Sequence, residues 1–479
     1  MARLAAALLL IVLAAPGWAV CSRTCAKSPE GCAKGFGTLA YVVSTCRVVG
    51  RSQIGTQELR IQRAGCDPVT ALRFENPEPL ADPLGLCALV AENHLGTASP
   101  IAGVFQRLGV TNDGNAVVFE ISNAFQLLER TPLAPEQQGF FYVRADGTGL
   151  RRLGPASRDP TYRIFPTGDD YSAEVQTQIA PSPDDQVVAF TDVAPGSDGV
   201  ETVQLFTLDL TTGERRQVTH LTAGTPPRPG RKSIDFFLFL DGRTIQFVHV
   251  MGDERQAKRI AIDGTGLRDE SVPRGLSPGA ESHVIQSVRQ SGRRFDILGV
   301  SLPGPPANAD VLPFYGPPSE LFSVFDRHLI QLTNYRYGDT VLIQSRSSDV
   351  VFMTSADPVG ANPFHNCQLF RISPLGLGLR QTTHFDPGRR SEEGCQIGSL
   401  PGCGIRPVNE LESQASRALP FYSDCDPLGT NPNGSQVFTV RWKGSGLRQI
   451  THTRGATTAA DGSIVEVEIP GPVARGGAR

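Results

Sequence analysis

One phrase recurs along the chain, and a repeat constrains a fold more than any single motif does. The phrase is an apolar strand, a turn rich in Gly and Asp, then Leu-Arg-Gln-x-Thr or a variant. It reads FFYVRADGTGLRRLG at 140–154, QLFTLDLTTGERRQVTH at 204–220, RIAIDGTGLRDES at 259–271, LFSVFDRHLIQLTNY at 321–335, QLFRISPLGLGLRQTTH at 368–384 and QVFTVRWKGSGLRQITH at 436–452. Equivalent positions fall 50–68 residues apart. Compact propeller blades take roughly 40–50 residues, so insertions are expected.

A second strand pair with its own turn precedes several copies: TNDGNAVVFEIS (111–122), SPDDQVVAFTD (182–192), LDGRTIQFVHV (240–250) and SSDVVFMTS (347–355). Gly and Asp suit these bends because hairpin turns need positive φ. The strand after the bend is apolar at consecutive positions, as at Val117, Val118 and Phe119 or Val350, Val351 and Phe352. Such a strand is buried on both faces, which a propeller provides by packing each blade between two others. The expected fold is all-β, a single β-propeller of four-stranded antiparallel blades. Residues 56–70, TQELRIQRAGCDPVT, can be laid on the 204–219 copy as a degenerate blade. That gives seven blades; six blades plus an N-terminal cap is the alternative. The strand Ile464–Ile469 alternates with period two and is expected to close the ring against the first blade.

SPDDQVVAF followed by QLFTLDLTTGERRQVTH resembles the repeat of TolB and related exported propellers, a WD-repeat-like pattern, as do the copies ending GLRQTTH and GLRQITH. The resemblance covers about 110–452 and implies a propeller. It does not carry over TolB's own role, because no separate αβ domain of TolB type precedes the first blade.

The N-terminus reads as an export signal. Arg3 precedes the apolar run 5–15, Pro16-Gly17 breaks it, and Gly17-Trp18-Ala19 offers small residues to a signal peptidase. Cleavage is expected after Ala19. Val20 before Cys21 argues against a lipoprotein. The expected organisation is a signal peptide at 1–19, a Cys-containing segment at 20–35, a degenerate blade or cap at 36–107, repeats at 108–469 and a flexible tail at 470–479. No later apolar stretch is long enough to span a membrane, and the expected location is periplasmic or secreted. With a net charge of −3 and only 19% charged residues, nucleic acid is not an expected partner.

Ten cysteines fall in two clusters: Cys21, Cys25, Cys32, Cys46, Cys66 and Cys87, then Cys367, Cys395, Cys403 and Cys425. An even count in an exported chain reads as disulfides. Bonds within each cluster are expected, with Cys395–Cys403 and Cys367–Cys425 as specific pairs; bonds between the clusters would instead make a covalent ring seam.

Two repeated constellations could bind metal. His220, His384 and His452 occupy one slot after three copies, where a histidine ring could hold a transition metal. The loops ADPVGANPFHNC (356–367) and CDPLGTNPNGS (425–435) place Asp357 before Asn362 and Asp426 before Asn431, oxygen ligands that suit calcium. Both patterns are also what inherited turn residues produce, and no cofactor is expected. The sequence lacks a His-Glu-x-x-His helix and a phosphate loop. The favoured reading is a binding or scaffold module for a protein or glycan partner. A propeller enzyme, such as a polysaccharide lyase or hydrolase acting at the channel mouth, is the alternative, and a structural envelope protein is a third.

Overall fold

The computed structural model describes residues 37–476 except 51, 76–79, 82–86, 88–104, 123–132, 159–178, 223–233, 252–253, 271–274, 277–279, 309–317, 327, 344–347, 387–394, 396–405, 408–417, 432–433, 435 and 442. The chain forms seven sheets in sequence order, each a meander of antiparallel neighbours, and together they make a seven-bladed propeller. The second blade is typical: Phe105–Val110, Ala116–Ile121, Gly139–Arg144 and Arg151–Gly154 pair in order. First strands of adjacent blades lie against each other, as Phe105–Val110 does against Ala180–Pro181 and Ala180–Pro181 against Ile234–Phe239.

The first blade is built from both ends of the chain. Thr38–Val49, Ser52–Arg63 and Val69–Glu75 supply three strands, and Ile464–Gly476 pairs with the first of them from Thr38↔Gly476 to Arg47↔Glu466. A further short strand, Gly455–Thr458, hairpins onto Ile464–Gly476. The closing strand runs past Ile469 to Gly476, so residues expected from position 470 onward to be a flexible tail are paired in the sheet up to that point.

Consecutive apolar residues serve two interfaces, as the strand pattern required. Val117 and Phe119 join a core with Ala40, Val42, Leu59 and Ile61 of the first blade, while Val118 joins Val188 and Phe190 of the third. Val350 and Phe352 face Phe295 and Ile297 of the fifth blade, while Val351 and Met353 face Phe421 and Phe438 of the seventh. Directly opposed rings on second and third strands reinforce this. Phe119–Phe141, Phe190–Phe206, Phe352–Phe370 and Phe421–Phe438 all stack with centroids 5.6–5.7 Å apart. Such cross-strand aromatic pairs add to the stability gained from burial alone.

The glycines of the repeat phrase are explained by the neighbouring blade. Gly213 and Gly444 have φ of 74° and 86°. A Cβ there would stand 2.3 Å from the Leu153 carbonyl oxygen and 2.6 Å from that of Thr382, each on the preceding blade. Only glycine meets both demands.

Because strands alternate in direction, connections leaving second and fourth strands emerge on one face and those leaving first and third strands on the other. Among the described residues, the first face carries 302–308, 332–340 and 355–367. The opposite face carries tight turns such as 111–115, 182–186, 240–243, 291–292 and 145–150.

Cys46–Cys87 and Cys367–Cys395 are disulfides with Cα–Cα distances of 5.2 and 4.6 Å. Both lie within a cluster. The second overturns the expected pairs Cys395–Cys403 and Cys367–Cys425, which would each need one of its sulfurs. Cys367 enters the third strand of the sixth blade, and Cys395 lies in the connection leaving that blade's fourth strand, on the same loop face. Cys425 belongs to the next blade. Asp339 Oδ2 accepts the Cys395 amide at 3.1 Å and helps hold it there. Cys66 and Cys425 are also disulfide-bonded; Cys21, Cys25, Cys32, Cys403 and the export signal lie outside the described residues.

Candidate functional site

The loop face is organised by a side-chain module that recurs in the blades ending Gln-x-Thr-His. Gln204, Gln368 and Gln436 lie on the third strands of blades three, six and seven, the last two opening theirs. Each donates from Nε2 to a backbone carbonyl seventeen residues on, that of Leu221, Phe385 or Thr453, at 2.7–2.8 Å. Each accepts through Oε1 from the same residue's N–H and from the hydroxyl of Thr219, Thr383 or Thr451. The Gln of the fourth strand then donates to the threonine's carbonyl, at Gln217, Gln381 and Gln449 alike. The recurring Gln-x-Thr is therefore a scaffold that ties the chain as it leaves each blade.

His220, His384 and His452 follow this module as exposed appendages. Gln217 Nε2 lies 3.1 Å from His220 Nδ1, and Gln449 Nε2 lies 3.2 Å from His452 Nδ1. They stand on three separate blades, and among the described residues no three His, Cys, Asp or Glu side chains are grouped to hold a metal ion. The structure does not bring these histidines together.

The two Asp-Pro loops are matching turns on adjacent blades. Asp357 Oδ1 accepts the Asn362 N–H and Asp426 Oδ1 the Asn431 N–H, both at 2.8 Å. Asn362 Nδ2 donates to the carbonyls of Ser355, Ala356 and Asn366, and Asn431 Nδ2 to those of Cys425 and Gly434. These bonds make Asp357, Asn362, Asp426 and Asn431 staples of their own loops. They hold Val359 and Leu428 at equivalent tips, each 42% exposed.

The richest polar cluster on this face lies between blades five and six. In blade five the Gln slot holds Glu320, fully buried. Its Oε2 accepts the Thr333 hydroxyl at 2.5 Å, and its carboxylate also accepts the N–H groups of Tyr335 and Arg336. Arg336 is left-handed, with φ 57°. Successive N–H groups converging on an anion beside a left-handed residue form a nest. Burial nevertheless lifts the Glu320 carboxyl above its usual range, against the lowering effect of Thr333 and Arg336.

Next to the nest, Tyr337 stacks on His365, with centroids 6.2 Å apart and planes 21° from parallel. His365 is also left-handed, with φ 51°, a conformation uncommon outside glycine that concentrates at functional sites. Its Nδ1 lies 3.1 Å from the Ser355 carbonyl oxygen. A carbonyl only accepts, so Nδ1 carries the hydrogen and the neutral ring keeps an acceptor at Nε2. Asp339 lies two residues beyond Tyr337, and burial pushes its carboxyl up while Ser355 and the Cys395 amide donate to it. Segment 302–308 completes the corner: Ala307 N–H donates to the Arg336 carbonyl, and Gly338 N–H to Asn308 Oδ1.

Blades two and three hold a second network. Arg107 and Glu120 are paired at 3.0 Å with side chains 0% and 1% exposed. Asp192 accepts from Arg215 and from the Arg158 N–H, while Glu120 accepts the Ser157 N–H. Two buried carboxylates thus clamp the start of the connection 155–179. Removing one partner of such a buried pair costs about 3–5 kcal/mol.

Sequence reasoning missed both clusters. The signal for Glu320 was one residue outside the phrase: the copies at 204, 368 and 436 begin with Gln, while the copy at 321 is preceded by Glu.

No protein-family model and no curated protein matches the chain. Solved structures similar to it include peptidase propellers. The propeller domain of the Trilobed protease from Pyrococcus furiosus aligns with a TM-score of 0.41 and 10% identity, over 74% of this chain and 89% of that one. A prolyl endopeptidase gives 0.41 and 10%, over 92% and 56%. Oligopeptidase B from Leishmania major gives 0.40 and 11%, over 90% and 53%. The chain thus spans about half the length of these last two proteins.

Proposed function

We propose that this protein is an exported binding module, of the kind the TolB-like repeat implies, that engages a protein or glycan partner on its loop face. The observation that carries this reading is a contrast among the described residues: longer connections such as 332–340 and 355–367 emerge on one side, and tight turns such as 111–115, 182–186 and 240–243 on the other. Binding residues concentrate on loops held by a rigid scaffold, and the Gln-Thr modules and Asp-Pro staples give these loops such support. Disulfides fit an oxidising compartment, and among the described residues no helix is long and apolar enough to cross a membrane.

A second reading draws on the corner between blades five and six. Two buried carboxyls with raised pKa values beside the Tyr337–His365 pair are the kind of groups that serve as acid and base, which favours an enzyme acting on a glycan. The two readings separate by experiment. Mature protein used as bait in an envelope extract is expected to retain a partner, and that partner to protect amides of 301–308, 334–340 and 355–367 from hydrogen exchange. Protection confined to the tight-turn face would sink the binding proposal, and turnover of polysaccharide by the purified protein would establish the enzymatic one.

A further inference from the structure

Glu320 is a departure from the protein's own repeat, and the departure changes the path of the chain. In blades three, six and seven the slot holds Gln, which both accepts and donates, and its donation reaches a carbonyl seventeen residues on. An ionised carboxylate has no hydrogen to donate. At Glu320 that donation is missing: the Tyr335 N–H, two residues past Thr333, is accepted as the Leu221 N–H is by Gln204, and the Arg336 N–H is accepted in place of the lost bond to a carbonyl. Two residues further on, Tyr337 turns its carbonyl to the Ser319 N–H and its ring to His365. Arg336 takes up the change in direction with its left-handed backbone.

A protonated Glu320 has the hydrogen-bonding pattern of Gln: one oxygen accepts and an O–H stands where the amide N–H would be. The fold therefore contains two arrangements for this corner, the nest seen in blade five and the Gln pairing seen in three other blades. We propose that Glu320 is a pH-operated latch: ionised, it holds 334–340 and the Tyr337–His365 pair in position, and protonated, it lets the segment move toward the Gln-type arrangement and weakens partner engagement.

The consequence for a partner rests on the binding role proposed above; the latch itself does not. Several groups set its operating range. Arg336 favours the ionised form, and the Tyr335 phenol is pushed up by burial and then by the charge of Glu320. Asp339 on the same connection and His365 on the facing loop are the other titratable groups of the corner. Burial is the largest influence on Glu320 and lifts it above the ordinary value of 4.5, so the change comes at milder acidity than for a surface carboxylate.

The test needs no ligand. Hydrogen-exchange protection factors are measured residue by residue for the mature protein from neutral to acid pH. The Arg336 amide is expected to lose protection by about tenfold or more on acidification, the scale of a lost hydrogen bond to a charged acceptor, while the Tyr335 amide, bonded in both arrangements, changes less. The amides of Leu221, Phe385 and Thr453, held by Gln in equivalent slots, are expected to hold steady and report that the ring is intact. Glu320→Gln should show the acid pattern already at neutral pH. Gln204→Glu loses the donation to the Leu221 carbonyl when ionised and should import pH dependence to the protection of 221–222. Constant protection at 336 in the native protein overturns the latch. So does a pH dependence that survives in E320Q, since Asp339 and His365 still titrate there. If the latch responds but an identified partner binds equally at both pH values, the latch stands and its coupling to binding fails.

Discussion

A carboxyl group shut away from water among neutral donors favours its protonated form, and Asp339 is such a group. The Cys395 amide and Ser355 donate to it, and burial, the largest influence, pushes it above its usual value. The native state therefore holds a proton that the unfolded chain releases at lower pH. Between the ordinary Asp value and the raised one, the native state binds more protons, and stability falls as pH rises through that window. Asp339→Asn keeps an acceptor for the Cys395 amide and removes the titration. We expect D339N to flatten this part of the stability–pH curve and to gain stability over the native protein at the upper end of the window. Thermal or urea unfolding between pH 4 and 8 checks it. An unchanged slope, or a loss of stability in D339N above the window, contradicts the assignment.

At the scale of the element, the turn between third and fourth strands explains what could be read from sequence and what could not. Its glycines, its Gln and its Thr are legible because each answers a local demand that recurs in blade after blade. Gly444 gives positive φ and room for the preceding blade; Gly446 gives positive φ with only its own Arg441 side chain nearby. Repetition also misled. The slot of His220, His384 and His452 recurs because the Gln-x-Thr before it is structural, and Asp357 and Asp426 recur because they cap their own loops. Neither recurrence needs a ligand to explain it. The disulfide Cys367–Cys395 was unreadable because spacing along the chain does not say which connections share a corner of the ring. Glu320 stood in plain view, but an exception becomes visible only once the rule for its slot is known. The two glycines give a graded test. Gly446→Ala is expected to cost about 1 kcal/mol from backbone strain alone. Gly444→Ala adds a clash with the Thr382 carbonyl and is expected to cost about 2–4 kcal/mol. Denaturant midpoints of the two variants decide it, and equal losses would mean that the blade contact plays no part.

For the whole molecule, closure is the step that a ring needs and an open array of blades does not. Here it is made by strand pairing between the chain's two ends. Ile464–Gly476 lies along Thr38–Val49, and the blade so completed packs on the second blade through Val42 and Leu59 and on the seventh through Leu39, Tyr41 and Val43. Cys46 sits within the closing register, opposite Val467, and its disulfide to Cys87 closes a 41-residue span. Restraining the unfolded chain in this way is worth roughly 4 kcal/mol. The disulfide Cys46–Cys87 fixes the first blade's own connection, whereas the C-terminal strand pairs with the N-terminal one across the ring's ends. Deleting 464–479 should therefore open the ring even when Cys46–Cys87 is intact. We expect a loss of about 3 kcal/mol or more, which for a chain of this size is roughly 3 °C or more in Tm. Hydrogen exchange should accelerate in Thr38–Val49 and in both flanking blades, with blades three to five keeping their protection. Reduction of the full-length protein should lower stability without that spatial pattern. If truncation frees only the amides that lose their partner strand, the flanking blades do not depend on closure, and strand exchange between the ends is a local repair rather than the clasp of the ring.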